Sequence, residues 1–288
     1  MNNIIETMLS KYNPQNNLDR ENAIKEIIQE IALAGLSRGG FFDKAAFYGG
    51  TCLRIFYGLN RFSEDLDFAL LKKDESFKLD DFFPALKKEF CSYGIDINIE
   101  PKKKENNNDV QSAFIKGNTM TLMMSFFPNS EEAKRIICNQ KIKIKFEIDI
   151  NNPSGGVTET KYQLLPSPYR IQVFDEATLF AGKIHAIICR DYKNNVKGRD
   201  YYDYLFYLGK SAAFNLKYLE NKLKNNGTIE QNVTLSLQMV KALLKNKFEM
   251  VDYKLAKEDV LHFIENKNEL DCWGKELFIS TIEQLKAK

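Results

Sequence analysis

Residues 48–54 read YGGTCLR and residues 61–68 read RFSEDLDF, and these two segments decide the fold. From Asp65 to Leu71, polar and apolar side chains alternate over most of the length. Because side chains of a β-strand point to opposite faces in turn, this alternation predicts a strand that carries Asp65 and Asp67 on one face. The two glycines of the first segment predict a tight turn. The pattern is therefore a turn, a short helix and then a strand that bears carboxylates.

The glycine turn is suited to contact with phosphate. Gly49 and Gly50 precede a segment from Thr51 to Leu59 that is predicted to form a short helix. Backbone N–H groups at a helix N-terminus bind anions, and the hydroxyl of Thr51 is predicted to add one more donor. The segment lacks the Gly-Lys-Ser/Thr sequence of a Walker loop, and a glycine pair alone is more often a simple turn. Its functional interpretation depends on the strand that follows.

The aspartate pair is suited to a divalent metal. Magnesium is usually held by one or two carboxylates together with substrate phosphates. Two ions about 4 Å apart clamp the attacking and leaving oxygens of an in-line displacement. Alone, Asp65 and Asp67 would more often mark a solvent-facing strand edge. Combined with the glycine turn, they predict an enzyme that handles a metal–nucleoside triphosphate.

A third carboxylate is predicted on another strand, from Lys141 to Ile150. Polar and apolar residues alternate through this segment, which is typical of a strand with one buried face. The polar face ends in Glu147 and Asp149, just before a break at residues 151–156 that contains a proline and two glycines. Either acid would complete a metal site and help to deprotonate an incoming hydroxyl. The alternative is a charged outer face, which the three lysines of the first half support.

A cationic segment follows between Lys183 and Asp203. Lys183 and Arg190 are seven residues apart and therefore lie on nearly the same face of a predicted helix, where a triphosphate would be their natural ligand. Asp200 and Asp203 are three apart on the next helix and are predicted to lie clear of its apolar side. The alternative is an exposed helix with local ion pairs. The aromatic run of residues 201–207 is predicted to be mostly core, with one or two rings able to stack on a base.

The remaining pattern predicts a mixed chain with a helical second half. A helix is predicted over residues 20–34, capped by Asp19 and ended by Gly35. Pro166-Ser167-Pro168 predicts a boundary between a region of residues 1–165 and a mostly helical region of residues 166–288. The other predicted elements are a helix at 79–92, strands at 95–100, 110–116 and 119–127, and a polar loop at 102–108, a solvated hairpin tip or, as the alternative, a nucleic-acid contact.

Composition excludes several other classes of protein. The chain of 288 residues is 44% hydrophobic and has a net charge of +2. This small overall charge does not indicate a protein that binds nucleic acid or a membrane surface. The five cysteines form no Cys-x-x-Cys pair, and the two histidines are far apart, which disfavours structural zinc and disulfides. The sequence contains no apolar run of about 18 residues, so no membrane span is predicted. Residues 1–10 lack the pattern of a secretory signal, so a cytoplasmic location is expected.

The spaced motifs resemble a known family. Residues 48–54 and 61–68 resemble the first motif of the AbiEii/AbiGii-type nucleotidyltransferase toxins, and Lys183, Arg190 and the segment 199–203 are similar to the family's C-terminal motif. The resemblance spans about residues 47–208. It implies the α+β, polymerase-beta-like nucleotidyltransferase core, with a short mixed sheet flanked by helices, followed by a helical C-terminal region that completes the active-site cleft.

The resemblance also implies roles for individual residues. Lys183 would neutralise charge that develops on phosphate, and Asp203 would support the site. The family's middle acidic motif fits both Glu147 and Asp149; the segment around Glu147 matches the expected pattern better, and the choice stays open. The predicted catalytic residues are Asp65, Asp67, Glu147, Asp149, Lys183 and Asp203; the predicted metal ligands are Asp65, Asp67 and Glu147; the predicted NTP-binding residues are Gly49, Gly50, Thr51, Arg54, Lys183, Arg190 and Arg199.

The predicted function is metal-dependent transfer of a nucleoside monophosphate from an NTP to a hydroxyl acceptor, with Mg²⁺, or alternatively Mn²⁺, as the metal. The resemblance implies an RNA acceptor such as the 3′ end of a tRNA, a toxin role and a separate antitoxin protein as partner. The alternatives are transfer to a protein hydroxyl and a catalytically silent protein that binds nucleotide or RNA on the same scaffold. A nuclease that uses the same metal pair is a third hypothesis.

Overall fold

The computed structural model describes residues 3–102, 110–127, 141–190 and 196–288. The chain forms two compact units that interleave along the sequence. The first unit comprises Met1–Cys52, Phe62–Asn152 and Glu159–Val173, and the second comprises Leu53–Arg61, Pro153–Thr158 and Phe174–Lys288. The predicted boundary between residues 165 and 166 stays a prediction.

A seven-stranded mixed sheet forms the framework of the first unit. Its strands in chain order are β1 (Ala45–Tyr48), β2 (Leu66–Leu70), β3 (Asn98–Pro101), β4 (Val110–Asn118), β5 (Lys141–Asp149), β6 (Thr158–Gln163) and β7 (Tyr169–Phe174). Their spatial order is β3-β4-β5-β2-β1-β7-β6. β2 runs parallel to β5 and antiparallel to β1. The predicted mixed α/β core is confirmed.

The helices of the first unit are α1 (Asn3–Leu9), α2 (Asn17–Arg38), α4 (Phe83–Ser92) and α5 (Thr119–Phe126), and α3 (Gly49–Tyr57) begins in this unit. Buried phenylalanines pack together in the core of this unit. Phe68 of β2 packs on Phe41, Phe47 and Phe146, with ring centroids 4.9–5.0 Å apart. Since alternate side chains of β2 point to opposite faces, burial of Phe68 directs Asp67 to the other face.

Helix α2 is longer than predicted at both ends. Asn16, rather than Asp19, caps the helix, because its side chain accepts a hydrogen bond from the backbone N–H of Asp19. The helix continues through Gly35 to Arg38, so the predicted stop is wrong. A Cβ atom at Gly35 would lie 3.0 Å from the Cβ of Glu89 on α4. Gly35 therefore permits close packing of two helices, a demand that local sequence does not reveal.

The predicted strand at residues 119–127 is wrong, because this segment forms helix α5. Asn118 ends β4 and caps the helix by accepting a hydrogen bond from the N–H of Thr121. The apolar residues of this segment are nearly continuous, and such a run does not distinguish strand from helix. Strands β6 and β7 were not predicted from their patterns. Most of the predicted polar loop, residues 103–108, lies outside the described residues.

The second unit is mostly helical, as predicted. It contains α6 (Glu176–Cys189), α7 (Gly198–Gly209), α8 (Leu216–Asn225), α9 (Leu237–Met250), α10 (Tyr253–Val260) and α11 (Lys275–Thr281), and a parallel pair of β8 (Ala213–Phe214) and β9 (Lys286–Ala287). Tyr201, Tyr204 and Tyr207 of α7 are fully buried, so these rings are core and do not stack on a base. Within the described part of the chain, we find no helix with the length and apolarity needed to cross a bilayer.

Candidate active site

Gly49 lets the start of α3 lie directly against the carboxylate of Asp67. Tyr48, the last residue of β1, pairs with Asp67 of β2, and Gly49 then turns the chain with φ of +82°. A Cβ atom at Gly49 would overlap Oδ2 of Asp67 and would lie 3.1 Å from its Cβ and Cγ. Glycine is thus required twice, for the left-handed backbone and for the space that the carboxylate occupies.

Gly49→Ala is therefore expected to cost about 1–2 kcal/mol of stability from the left-handed backbone and to displace the Asp67 carboxylate. Asp67 is predicted to be catalytic, and a displacement of its carboxylate by about 1 Å should lower the predicted nucleotidyl transfer by roughly 10²-fold. Gly58→Ala is the matched control, since Gly58 has φ of +81° and a Cβ added there would meet no atom within 4 Å. The control should share the loss of stability, measured by chemical unfolding, and keep its activity; equal activity in both variants would contradict the prediction.

Gly50 and Thr51 lie in the first turn of α3, where backbone N–H groups lack partners within the helix. Thr51 is 1% exposed, and its hydroxyl donates to the carbonyl oxygen of Asp65. A buried hydroxyl needs a partner, and here the partner is within the protein rather than on a phosphate. Thr51 was predicted to donate its hydroxyl to a phosphate. In the structure that hydroxyl donates to Asp65 and ties α3 to the segment entering β2.

Glu147 lies beside Asp67 in the sheet. The two are register partners in the parallel pair β2–β5, and Ser112 of β4 is the register partner of Glu147 on its other side. The Ser112 hydroxyl donates to Oε1 of Glu147 at 3.0 Å, and Nζ of Lys145 lies 2.6 Å from Oε2. Paired residues on adjacent strands project from the same face, so Ser112, Glu147 and Asp67 form one row.

Asp149 is placed differently from Glu147. It is the register partner of Ala69, and its Oδ1 accepts a hydrogen bond from the backbone N–H of Asn151 at 2.9 Å. That bond stabilises the turn that ends β5. Of the two candidate acids, Glu147 is the one aligned with Asp67.

The oxygen chemistry of this row fits a divalent cation. Magnesium prefers carboxylate oxygens and is commonly held by one or two of them with substrate phosphates and water. Asp67 and Glu147 supply carboxylates on one face, and Asp65 immediately precedes β2. Among the residues that the structure describes, no group of three His, Cys, Asp or Glu side chains is close enough to hold a metal by itself. The triad of Asp65, Asp67 and Glu147 therefore stays a prediction.

A buried ion network occupies the second unit. The Arg61 guanidinium donates two hydrogen bonds to Asp203, at 2.6 and 2.7 Å, and Nζ of Lys183 lies 2.7 Å from the same carboxylate. Asp203 is fully buried. Burial would raise the pKa of the Asp203 carboxyl, but Arg61 and Lys183 outweigh it and hold that pKa below its ordinary value. Burial would likewise lower the pKa of Arg61, whereas Asp203 raises it.

Asp200 extends the network. It lies 2.7 Å from Nζ of Lys183 through Oδ1 and pairs with Arg190 through Oδ2. The prediction that Asp200 and Asp203 lie clear of the apolar side of α7 is wrong, since they are 3% and 0% exposed. Their burial is tolerated because each carboxylate has cationic partners. Lys183 thus lies between two carboxylates, and Arg190 is bound at one end.

Two other arginines predicted to bind NTP have partners within the protein. Nη1 of Arg54 donates to the carbonyl oxygen of Leu59 at 3.1 Å. Arg199 contacts Asp259 at 3.4 Å, and its guanidinium lies 4.3 Å from the centroid of the Phe263 ring. These contacts hold the ends of α3 and α7.

Arg61 and Ser112 were not among the predicted site residues. Arg61 stands four residues before Asp65, within the motif itself. That position is the sequence signal that could have indicated a role for Arg61. Its partner is 142 residues away, so no local pattern identifies it. Ser112 offers no sequence signal, because its contact with Glu147 depends on the register between β4 and β5.

The chain matches a family model over most of its length. The model described as nucleotidyl transferase AbiEii toxin, type IV TA system, matches residues 31–273. No curated protein matches the chain. Among solved structures, MenT4, a nucleotidyltransferase toxin from Mycobacterium tuberculosis H37Rv, is similar with a TM-score of 0.50 and 13% identity, over 99% of this chain and 90% of that chain. JHP933 from Helicobacter pylori has a TM-score of 0.42 and 18% identity, over 92% of this chain and 94% of that chain.

Proposed function

Because this chain belongs to the AbiEii nucleotidyltransferase toxin family, we propose that it transfers a nucleoside monophosphate from an NTP to a terminal hydroxyl of RNA, such as the 3′ end of a tRNA. The acceptor oxygen bonds to the α-phosphorus, the bond from that phosphorus to the bridging oxygen breaks, and pyrophosphate leaves. The proton of the acceptor hydroxyl passes to a carboxylate. The family supports the nucleotidyltransferase activity and the toxin class; the acceptor and the metal are proposals.

One observation carries the proposal: the position of Asp67 between Gly49 and Glu147. Gly49 brings the first turn of α3 against the carboxylate, and Glu147 is the register partner of Asp67 on β5. A phosphate bound at the N–H groups of α3 would therefore be adjacent to a pair of carboxylates. A metal–NTP complex requires this arrangement, in which backbone amides bind a phosphate and carboxylates lie beside that phosphate.

The proposed metal is Mg²⁺, with Mn²⁺ as the alternative, held by Asp65, Asp67 and Glu147. Nucleotidyltransferases of this kind generally use an NTP and a divalent metal, and the bound metal would stabilise negative charge on the phosphates. Glu147 is proposed as the group that receives the acceptor proton. Its alignment with Asp67 supports this choice over Asp149, whose carboxylate stabilises the turn after β5.

Lys183 and Asp203 are proposed to be required for transfer, as the family motif implies, with Lys183 neutralising phosphate charge. Arg54, Arg190 and Arg199 are proposed to contact the NTP, which would displace their present partners. A toxin of this family is also expected to have a cognate antitoxin, which we propose is a separate protein.

The test is incubation with each NTP, labelled at the α-phosphorus, together with Mg²⁺ or Mn²⁺ and total RNA. The wild type is expected to label RNA, and Asp65→Ala is expected to label none. Asp96→Ala, which removes an exposed acid outside the row, is the control and should retain wild-type labelling. Sequencing RNA 3′ ends after reaction identifies the NTP and the acceptor.

Each other outcome overturns part of the proposal. Label on protein instead of RNA makes a protein hydroxyl the acceptor. Wild-type labelling no higher than that of Asp65→Ala, on any macromolecule, supports a silent nucleotide-binding protein. RNA cleavage without NTP supports a nuclease.

A further inference from the structure

Lys145 places a positive charge beside two of the predicted metal ligands. It lies two residues before Glu147 on β5, so the two side chains project from the same face of the sheet. Phe146 and Leu66 are the first register partners of β5 and β2. Lys145 and Asp65 directly precede them in the chain, so these two residues stand at the same level of the sheet. The lysine is thus next to one predicted ligand along its own strand and faces the start of the strand that carries the others.

The Glu147 carboxylate has a protein partner on each oxygen. The Ser112 hydroxyl donates to Oε1 at 3.0 Å, and Nζ of Lys145 lies 2.6 Å from Oε2. The hydroxyl is neutral, so it orients the carboxylate without changing the charge of the site. Lys145 carries a full positive charge, and a divalent ion bound to the same carboxylate would repel it. Lys145 and a metal ion therefore compete for Glu147.

The ion pair is weak enough to be exchanged. The Lys145 and Glu147 side chains are 35% and 27% exposed, and ion pairs that water reaches contribute little to stability. Another cation of the same face, Lys116, pairs instead with Glu100, an acid outside the predicted site. A metal ion that binds the predicted ligands thus displaces Lys145 and leaves Lys116 where it is.

A displaced Lys145 would meet the phosphates of an incoming NTP. A magnesium ion held by one or two carboxylates completes its ligands with substrate phosphates, so the triphosphate comes to the face that carries Glu147. The lysine ammonium is a compact charge on a flexible stem, and lysine is a common phosphate ligand. Lys145 therefore has a partner on either side of the exchange, first a carboxylate and then a phosphate.

We propose that Lys145 holds Glu147 until the metal–NTP complex binds and then contacts a phosphate of the NTP, an inference that rests on the proposed metal site at Asp67 and Glu147. The exchange weakens binding of a metal ion that arrives without NTP, because the ion must displace the lysine and gains no phosphate in return. It strengthens binding of the complex, because the phosphate gives the lysine a new partner. Lys145 thus selects the metal–nucleotide complex over the metal alone.

The test compares Lys145→Met with the wild type in two binding measurements that need no turnover. Mn²⁺ binding without nucleotide is followed by electron paramagnetic resonance, and NTP binding is followed by equilibrium dialysis in saturating Mn²⁺ without RNA. Lys145→Met should bind Mn²⁺ about five- to tenfold more tightly, because the competing charge is gone. It should bind NTP at least about tenfold more weakly, because a hydrogen bond between two charged groups is lost.

Two further variants serve as controls. Lys143→Met removes the same charge from the same face of β5, two residues farther from Glu147, and should change each affinity by less than about twofold, as surface substitutions usually do. Lys145→Arg keeps the positive charge and should stay closer to the wild type than Lys145→Met in both measurements.

Opposite changes in the two affinities of Lys145→Met support the exchange. Weaker binding of both ligands would make Lys145 a structural partner of Glu147, and tighter Mn²⁺ binding with unchanged NTP binding would overturn the phosphate contact. Unchanged Mn²⁺ affinity, or no Mn²⁺ bound by either protein, would overturn the competition. If the wild type labels RNA while any of these contrary results holds, transfer stands and the exchange fails. If the affinities change as expected and the wild type transfers no label, the exchange stands and the transferase proposal fails.

Discussion

Asp67→Asn is expected to lower nucleotidyl transfer by at least about 10³-fold, because the carboxylate charge that would hold the metal is lost. A catalytic metal supplies several kcal/mol of charge stabilisation, and each 1.36 kcal/mol is a tenfold change in rate. Asparagine has nearly the same shape and fits the space beside Gly49, so the free energy of unfolding should change by only about 1 kcal/mol or less. The measurements are initial rates with α-labelled NTP and denaturant unfolding.

Two comparisons make this result specific. Asp96→Asn changes the same charge at an exposed position outside the row and should leave the rate within about twofold of wild type, as surface substitutions usually do. Mn²⁺ titration followed by electron paramagnetic resonance, with NTP present, should show weaker binding in Asp67→Asn only. Unchanged Mn²⁺ affinity would remove Asp67 from the metal site, and loss of cooperative unfolding would make it a structural residue.

The face of the sheet that carries the acids was predictable because it follows from local alternation. In β2 and β5, apolar side chains repeat every second residue, so the sequence places Asp67 and Glu147 on polar faces before any pairing is known. The choice between Glu147 and Asp149 was not predictable. It depends on the register of two strands separated by more than seventy residues in the chain, and a shift of two residues would align Asp149 with Asp67 and keep every apolar side chain inside.

The features that could not be predicted depend on long-range packing. Gly35 resembles a helix stop and instead allows α4 to approach α2. Residues 119–126 form a helix, although their apolar run fits a strand equally well. Asp200 and Asp203 were predicted to lie clear of the apolar side of their helix. Their burial depends on Arg61 and Lys183, whose proximity only the folded chain creates.

The ion pair of Arg61 and Asp203 gives the second prediction with a large expected effect. Both side chains are buried, with 3% and 0% exposure. Removing one partner of such a pair leaves an uncompensated buried charge and typically costs about 3–5 kcal/mol. Asp203→Leu is expected to fall in this range, because it strands the Arg61 guanidinium and removes one carboxylate from Lys183. Arg61→Met should cost less, because Lys183 remains as a partner of Asp203.

The double variant Arg61→Met/Asp203→Leu separates stability from function. Replacing both members of a buried pair by apolar residues of similar volume is often close to neutral, so the double variant should be more stable in denaturant unfolding than Asp203→Leu. Transfer should not recover with it, since Lys183 then retains only Asp200 and its ammonium group is no longer held from two sides. Recovery of both stability and activity would show that Asp203 serves the fold alone. Recovery of stability without activity would identify Asp203 as the residue that positions Lys183.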